Sequence, residues 1–230
     1  MSSARDLPGR TVLFDLDGTL TNSAPGIIGS LKQALAELGF PEPAPELLRR
    51  FIGPPMFASF VTFCGLTPRD AERAVRVYRK IYNRTGVYEN SVYPGIPELL
   101  DALRDSGARL AVATTKPSAA TAKVLGHFGL AEKFDFVSAA DESERDSGKE
   151  GRIRTALRAL SCPPDRAVMV GDTKFDAAGA RGAGTDFIGV LYGFGTREEM
   201  EREGGRRFAG DVSAIGKMLI DKARIARYDK

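Results

Sequence analysis

The sequence predicts an α/β protein whose parallel sheet carries helices on both faces. Short β-branched and aromatic runs such as Val12–Phe14 alternate with segments of helical periodicity, from Ile96 to the last predicted strand, Phe187–Leu191. Because repeated strand–helix units return each strand to the same sheet in the same direction, this alternation predicts parallel strands buried on both faces.

A helical insertion interrupts this pattern. Between the first strand and about residue 90 the periodicity is helical, and no convincing strand is found. The sequence therefore predicts an α/β core formed by residues 1–21 and 93–230, with an α-helical cap domain formed by residues 22–92. We expect hinges at the two junctions, near Thr21–Ser23 and Tyr93–Gly95.

The insertion contains clear helix signals. Apolar residues at helical spacing predict a helix over Pro25–Leu38, which Gly39 ends. A short helix is expected up to about Phe51, and an apolar stretch ends near Cys64. Thr67, followed by Pro68 and Asp70, has the pattern of an N-cap and first turn, and it predicts the start of an amphipathic helix.

The core elements follow in alternation. Predicted helices are Ile96–Ser106, Pro117–Phe128, Gly151–Leu160 and Phe175–Arg181, and predicted strands are Arg109–Ala113, Phe134–Ser138, Ala167–Val170 and Phe187–Leu191. The polar segment Asp141–Gly148 predicts a mobile loop.

Composition narrows the functional classes. The 230 residues are 43% hydrophobic and 27% charged, with a formal net charge of +3 from dispersed Lys and Arg. This balance does not favour binding of a nucleic acid polymer. No run is long enough to cross a membrane, the N-terminus lacks a signal-peptide core, and the two cysteines are far apart. We therefore expect a cytoplasmic protein.

The chemistry is predicted at the ends of strands. Asp15 and Asp17 end the first apolar run, and side chains two apart in an extended segment point the same way. Two close carboxylates imply a cation between them or an acid/base role, although a strand end with an Asx turn would give the same pattern. Gly18 allows a tight turn, and Thr19 is a candidate N-cap or phosphate donor.

Two further candidate positions follow other predicted elements. Thr114 and Thr115 stand at a strand end before a helix, where hydroxyl and amide groups can bind a phosphate; an ordinary N-cap is the alternative. Lys149 follows the polar loop and could neutralise a nucleophile and a phosphoryl group, or be a solvated surface residue.

A fourth site follows the strand at Ala167–Val170. Asp172 ends that strand, and Asp176 lies about one helical turn further on, where it can face the same point. Hard oxygen ligands of this kind suit Mg²⁺.

Together these sites resemble the four motifs of the haloacid dehalogenase-like (HAD) hydrolase superfamily. The run Asp15-Leu-Asp-Gly-Thr-Leu20 is similar to its first motif, and the other three follow in order. The chain looks closest to the phosphoglycolate phosphatase-like group. Thr115 stands at the variable place of motif two, and Glu150 follows Lys149 where that group often has Pro.

The resemblance implies a Rossmann-like HAD fold and a Mg²⁺-dependent phosphatase. By it, Asp15 is the nucleophile that forms an aspartyl-phosphate, and Asp17 is the general acid/base. Mg²⁺ is held by Asp15, the backbone carbonyl of Asp17 and Asp172, with Asp176 as a ligand or behind the ligands. By the same likeness, the substrate phosphate contacts are Gly18, Thr19, Thr114, Thr115 and Lys149.

The resemblance also implies a small phosphomonoester as substrate, for a monomer or dimer. The alternatives are a nucleoside 5'-monophosphate phosphatase (5'-nucleotidase) of the same group, then a sugar phosphomutase, then a non-catalytic binding protein. The acid at Asp17 favours phosphate chemistry over dehalogenation. We expect the cap to select the substrate, and Phe57, Phe60 and Phe63 either face a base or fill the cap core.

Overall fold

The computed structural model describes residues 10–141 and 148–221. It divides the chain into two compact units, one formed by the chain up to Leu20 and from Val92 onward, the other by Thr21–Ser91. The loop predicted at Asp141–Gly148 falls largely on residues 142–147, which lie outside the described residues.

The first unit contains a parallel sheet, as the sequence predicts, and the structure gives it six strands. Its strands lie in the order β5-β4-β1-β6-β7-β8. The strands are β1 (Thr11–Phe14), β4 (Arg109–Pro117), β5 (Phe136–Ala140), β6 (Ala167–Gly171), β7 (Asp186–Val190) and β8 (Phe208–Ala209). Between them, β2 (Thr21–Asn22) and β3 (Ser91–Val92) pair as a separate two-stranded sheet at the two passages between the units.

Among the residues described, six α-helices belong to this unit. They are α5 (Ile96–Asp105), α6 (Ser118–His127), α7 (Lys149–Ala159), α8 (Lys174–Ala183), α9 (Arg197–Arg202) and α10 (Val212–Gly216). Helix α5 is amphipathic, and it buries Ile96, Leu99, Leu100 and Leu103.

The centre of the sheet is fully buried. Val12, Leu13 and Phe14 have no exposed surface, because β1 lies between β4 and β6. Phe14 pairs in register with Val112 on β4 and Val170 on β6. The carboxyl ends of these three strands therefore meet at one edge, where open parallel sheets bind ligands.

The structure differs from the sequence-based boundaries at two functional positions. Strand β4 continues to Pro117 instead of ending at Ala113, with a shift in its register to β5 between these residues. Helix α7 begins at Lys149 with Gly148 as N-cap, two residues earlier than predicted. β8, α9 and α10 were not predicted, because each is too short to show a hydrophobic period.

The second unit is helical. Its helices are α1 (Ala24–Leu38), α2 (Pro45–Leu48), α3 (Met56–Cys64) and α4 (Pro68–Arg84), and α4 packs against both α1 and α3. Thr67 caps α4 as predicted, since its hydroxyl oxygen accepts the amide N–H of Asp70 at 3.2 Å.

The three candidate aromatic residues of the helical unit have different environments. Phe60 is fully buried and packs edge to face against Phe51, with ring centroids 5.8 Å apart. Phe63 packs on the same Phe51 ring, and Phe57 is 42% exposed. Phe60 thus belongs to the core of this unit, Phe63 packs at the edge of that core and is partly buried, and Phe57 lies on the surface.

Within residues 10–141 and 148–221, every helix is too short or too polar to pass through a bilayer.

Candidate active site

Four predicted site residues meet at the carboxyl edge of the sheet. Asp15 follows β1, and its amide N–H extends the pairing with β6 by donating to Val170 O at 3.0 Å. Asp172 follows β6, Asp176 lies in the first turn of α8, and Lys149 is the first residue of α7. Residues far apart in the chain are thus brought to one buried site.

Lys149 joins two of the carboxylates. Its Nζ lies 2.6 Å from Asp15 Oδ1 and 2.8 Å from Asp176 Oδ1, and it donates to the carbonyl oxygen of Ala113 at 3.2 Å. The lysine side chain is only 4% exposed. Lys149 is therefore a buried part of this site, and the solvated-surface alternative does not apply to it.

Asp172 is completely buried and is held through both carboxylate oxygens. Oδ1 accepts the hydroxyl hydrogen of Thr19 at 3.2 Å, and Oδ2 accepts the amide N–H of Phe194 at 2.8 Å. Gly18, at φ +87°, lies directly against it, and a Cβ on Gly18 would meet Asp172 Oδ2 at 2.1 Å. A glycine is thus required both for this backbone conformation and for the approach of the carboxylate.

The two carboxylate oxygens of Asp176 make different contacts. Its Oδ2 accepts the amide N–H of Thr173 at 3.0 Å and the Thr173 hydroxyl at 2.8 Å, which caps the start of α8. Its Oδ1 faces Lys149. One oxygen is therefore used by the helix, and the other contributes to the charge of the site.

The three carboxylates form a compact acidic group. One ligand oxygen from each of Asp15, Asp172 and Asp176 lies within 4.8 Å of the others. The pKa of Asp15 is raised to about 6 and that of Asp172 well above its ordinary value, because burial and the neighbouring carboxylates together outweigh the opposing charge of Lys149. Burial alone would lower the pKa of Lys149, but Asp15 and Asp176 outweigh it and hold that pKa above its ordinary value.

This group suits a divalent cation. Three carboxylates face one lysine, which leaves two negative charges if all four groups are ionised. Oδ1 of Asp15 and Oδ1 of Asp176 contact Lys149 but accept no well-aligned hydrogen bond. Hard oxygen donors with spare capacity, in a cluster of net negative charge, are the ligand type that Mg²⁺ prefers.

Asp17 is not a member of the acidic group. Its carboxylate pairs with the Nζ of Lys116, at 3.0 and 2.9 Å from the two oxygens. Lys116 was not among the predicted site residues, although it stands directly after the candidate phosphate contacts Thr114 and Thr115. A lysine next to a predicted anion site was the available signal.

The three threonines predicted to contact the phosphate have different environments. The hydroxyl of Thr19 donates to Asp172, and Thr19 is not an N-cap, because α1 begins later with Ser23 as N-cap. The buried Thr114 accepts the amide N–H of Lys116 at 3.2 Å from within the lengthened β4, and not from a helix N-terminus. Thr115 is partly exposed in the same strand.

A loop after β7 completes the surroundings of Asp172. Besides Phe194, it contains Gly193, where a Cβ would lie 2.3 Å from the Cβ of Asp172. The hydroxyl of Tyr192 donates to the carbonyl of Thr19 at 3.0 Å, and that of Tyr93 donates to the carbonyl of Tyr192 at 3.4 Å. This loop was not predicted from the sequence, where the glycines on both sides of Phe194 are its signal.

Comparison with known proteins shows the family to which this chain belongs. Residues 12–190 match the family described as haloacid dehalogenase-like hydrolase. The chain is 38% identical over 208 residues to a 5'-nucleotidase from Pseudomonas aeruginosa, covering 90% of this chain and 94% of that protein. It is 34% identical over 204 residues to a phosphoglycolate phosphatase from Caulobacter vibrioides, covering 86% and 85%.

Two other similarities complete the comparison. The chain is 39% identical over 191 residues to the tyrosine-protein kinase PtkA of Mycobacterium tuberculosis, covering 83% of this chain and 65% of that protein. The crystal structure of a predicted phosphatase from Clostridium acetobutylicum superposes with a TM-score of 0.87 at 37% identity, covering 93% of this chain and 99% of that one.

Proposed function

We propose, from the premise that this chain belongs to the haloacid dehalogenase-like hydrolase family and is a phosphatase, that it hydrolyses small phosphomonoesters through an aspartyl-phosphate on Asp15. The observation that carries the proposal is the buried contact of Lys149 with both Asp15 and Asp176. It provides a fixed carboxylate nucleophile beside a cation that can bind the transferred phosphoryl group.

Asp15 is the nucleophile in this proposal. One of its oxygens attacks phosphorus while the bond from phosphorus to the leaving oxygen breaks. Lys149 holds the attacking side chain and offsets the charge on the phosphoryl oxygens, together with the hydroxyl of Thr114. Because both groups are buried at the sheet edge, they need little reorganisation during the reaction.

Asp17 moves the proton. It donates to the departing alkoxide oxygen, and it then takes a proton from the water that hydrolyses the aspartyl-phosphate. Its carboxylate lies outside the acidic group, pairs with Lys116 and is 16% exposed, so the nucleophile and the acid/base are separate side chains in this proposal.

Asp15 and Asp172, with the carbonyl of Asp17, would hold Mg²⁺, and Asp176 would support them from its place between Lys149 and the start of α8. When bound, Mg²⁺ supplies charge neutralisation for the acidic group and the substrate phosphate. The binding of Asp172 by Phe194 and Thr19 keeps one ligand oriented in advance.

The substrate is a small phosphorylated metabolite, with 2-phosphoglycolate as the first candidate. A nucleoside 5'-monophosphate is the second, because the 5'-nucleotidase relative matches 90% of this chain. Selection of the substrate by the helical unit stays a prediction, as do a cytoplasmic location and a monomeric or dimeric state.

The test is a phosphate-release screen over glycolate, nucleotide and sugar phosphates, with and without Mg²⁺, on wild type and Asp15→Asn. We expect Mg²⁺-dependent release by wild type and a loss of several orders of magnitude in the folded variant. The amount of phosphate released should equal the amount of substrate consumed. Transfer of the phosphoryl group to a protein hydroxyl would instead consume substrate without releasing phosphate. Substantial activity in Asp15→Asn eliminates the nucleophile assignment, and no release from any substrate by wild type favours a binding role.

A further inference from the structure

A second buried lysine holds the carboxylate of Asp17. The Nζ of Lys116 lies 3.0 Å from Oδ1 and 2.9 Å from Oδ2, and the lysine side chain is 5% exposed. Contact with both oxygens fixes the rotation of the carboxylate as well as its place. A buried, two-point contact of this kind restrains a side chain much more than a surface ion pair does.

The backbone that carries Lys116 is itself fixed. Its amide N–H donates to the hydroxyl oxygen of Thr114 at 3.2 Å, and its carbonyl accepts the hydroxyl of Thr121 in α6 at 3.4 Å. The shift in register before Pro117 occurs in the same segment of β4. The lysine side chain therefore extends from a fixed backbone to the predicted acid/base, Asp17.

The two buried lysines of the site contact different carboxylates. Lys149 contacts Asp15 and Asp176, and Lys116 contacts Asp17. If Lys116 were removed, the nearby negative charge of Asp15 would favour rotation of Asp17 away from the site. The lysine thus provides an attraction that keeps Asp17 at the edge of the sheet.

We propose that Lys116 is a positioning residue that holds Asp17 for proton transfer to the leaving oxygen; this rests on the acid/base role proposed above. When the bond from phosphorus to that oxygen breaks, the oxygen keeps the electron pair and takes the proton that Asp17 carries in its acid form, which leaves Asp17 as the carboxylate that Lys116 holds. An alkoxide leaves poorly without this proton, whereas dinitrophenolate leaves readily as an anion. The contribution of Lys116 therefore depends on the leaving group.

The experiment compares kcat/KM of wild type and Lys116→Met on two substrates with Mg²⁺. One is the alkyl phosphate that wild type hydrolyses fastest, and the other is 2,4-dinitrophenyl phosphate. Because kcat/KM reports the first phosphoryl transfer, later hydrolysis of the aspartyl-phosphate does not enter. We expect a loss of about 10²- to 10³-fold for the alkyl phosphate and less than about tenfold for dinitrophenyl phosphate.

Three variants make the result specific. Lys116→Arg keeps the charge and should recover part of the alkyl phosphate activity. Lys133→Met removes a lysine outside the site, whose Nζ lies 2.6 Å from Asp101 Oδ1. This variant should change kcat/KM for neither substrate. Adding Lys116→Met to Asp17→Asn should cost little beyond the single variant, since both changes remove one function.

Equal losses for both substrates would overturn the proposal, because they indicate a role in phosphate binding or folding. No loss would also overturn it. If Lys116→Met does not fold, the same substrate ratio is measured on Lys116→Gln, which also removes the charge, and an unchanged ratio in that variant counts against the proposal. If wild type hydrolyses neither substrate, the phosphatase mechanism fails, which is a different result.

Discussion

Replacement of Lys149 by Met should separate Mg²⁺ binding from turnover. The lysine lies 2.6 and 2.8 Å from two buried carboxylates, and each contact corresponds to roughly 6 kcal/mol of Coulomb attraction at an effective dielectric constant of about 20. Desolvation of the ions cancels part of this gain. Removing one member of such a buried set therefore lowers the free energy of unfolding by about 3–5 kcal/mol, or roughly 6–20 °C in Tm, without Mg²⁺.

The same change should strengthen Mg²⁺ binding. Lys149 and a divalent cation compete for Asp15 and its neighbours, so loss of the lysine leaves one more uncompensated negative charge. We expect affinity for Mg²⁺ to rise on the order of tenfold or more, about 1.4 kcal/mol. Turnover at saturating Mg²⁺ should nevertheless fall about 10²- to 10³-fold, because a group that stabilises the phosphoryl oxygens is missing.

The assay is calorimetric titration of Mg²⁺ into wild type, Lys149→Met and Lys174→Met, with turnover measured on the same samples. Lys174 forms an exposed ion pair with Glu199 at 3.2 Å, so its removal should alter neither quantity appreciably. If Mg²⁺ affinity and turnover fall together in Lys149→Met, the lysine supports the cation site and does not compete with it, and the charge argument is refuted.

Three further predictions follow from particular contacts. Gly193→Ala should weaken Mg²⁺ binding about tenfold in calorimetry, because its Cβ would displace Asp172, whereas Gly126→Ala, with open space at its Cβ, should leave binding unchanged. The increase in Tm that Mg²⁺ produces should become smaller as the pH is lowered from about 7.5 to about 5. Burial raises the pKa of Asp15 to about 6, so below that pH the metal must displace a proton from Asp15. The metal-free protein is meanwhile stabilised, because folded Asp15 binds the proton more tightly than Asp15 in the unfolded chain. A Tm gain from Mg²⁺ that is the same at both pH values would contradict this. Phe60→Ala, at a fully buried position, should lower the free energy of unfolding by about 3–5 kcal/mol in urea titration, against less than about 0.5 kcal/mol for Phe57→Ala; equal effects would refute the assigned burial.

Local patterns were sufficient for the fold class and for the acidic residues. A buried run such as Val12–Phe14 must be a strand, and polar residues that end it must lie at the edge of the sheet, so Asp15 and Asp172 could be assigned to one site. The same reasoning failed for β8, because two residues show no period. The boundary of β4 was also missed, since its last residues are polar and its register shifts there.

The sequence by itself determined which residues could do the chemistry, because residue type and position at a strand end are local properties. The tertiary structure decided their partners. Lys116 and Asp17 are 99 positions apart, and the loop that holds Asp172 through Phe194 is 22 positions away from it. Such pairings arise only when the strands assemble in register, because the direction of a side chain and its burial are properties of the packed sheet and its helices.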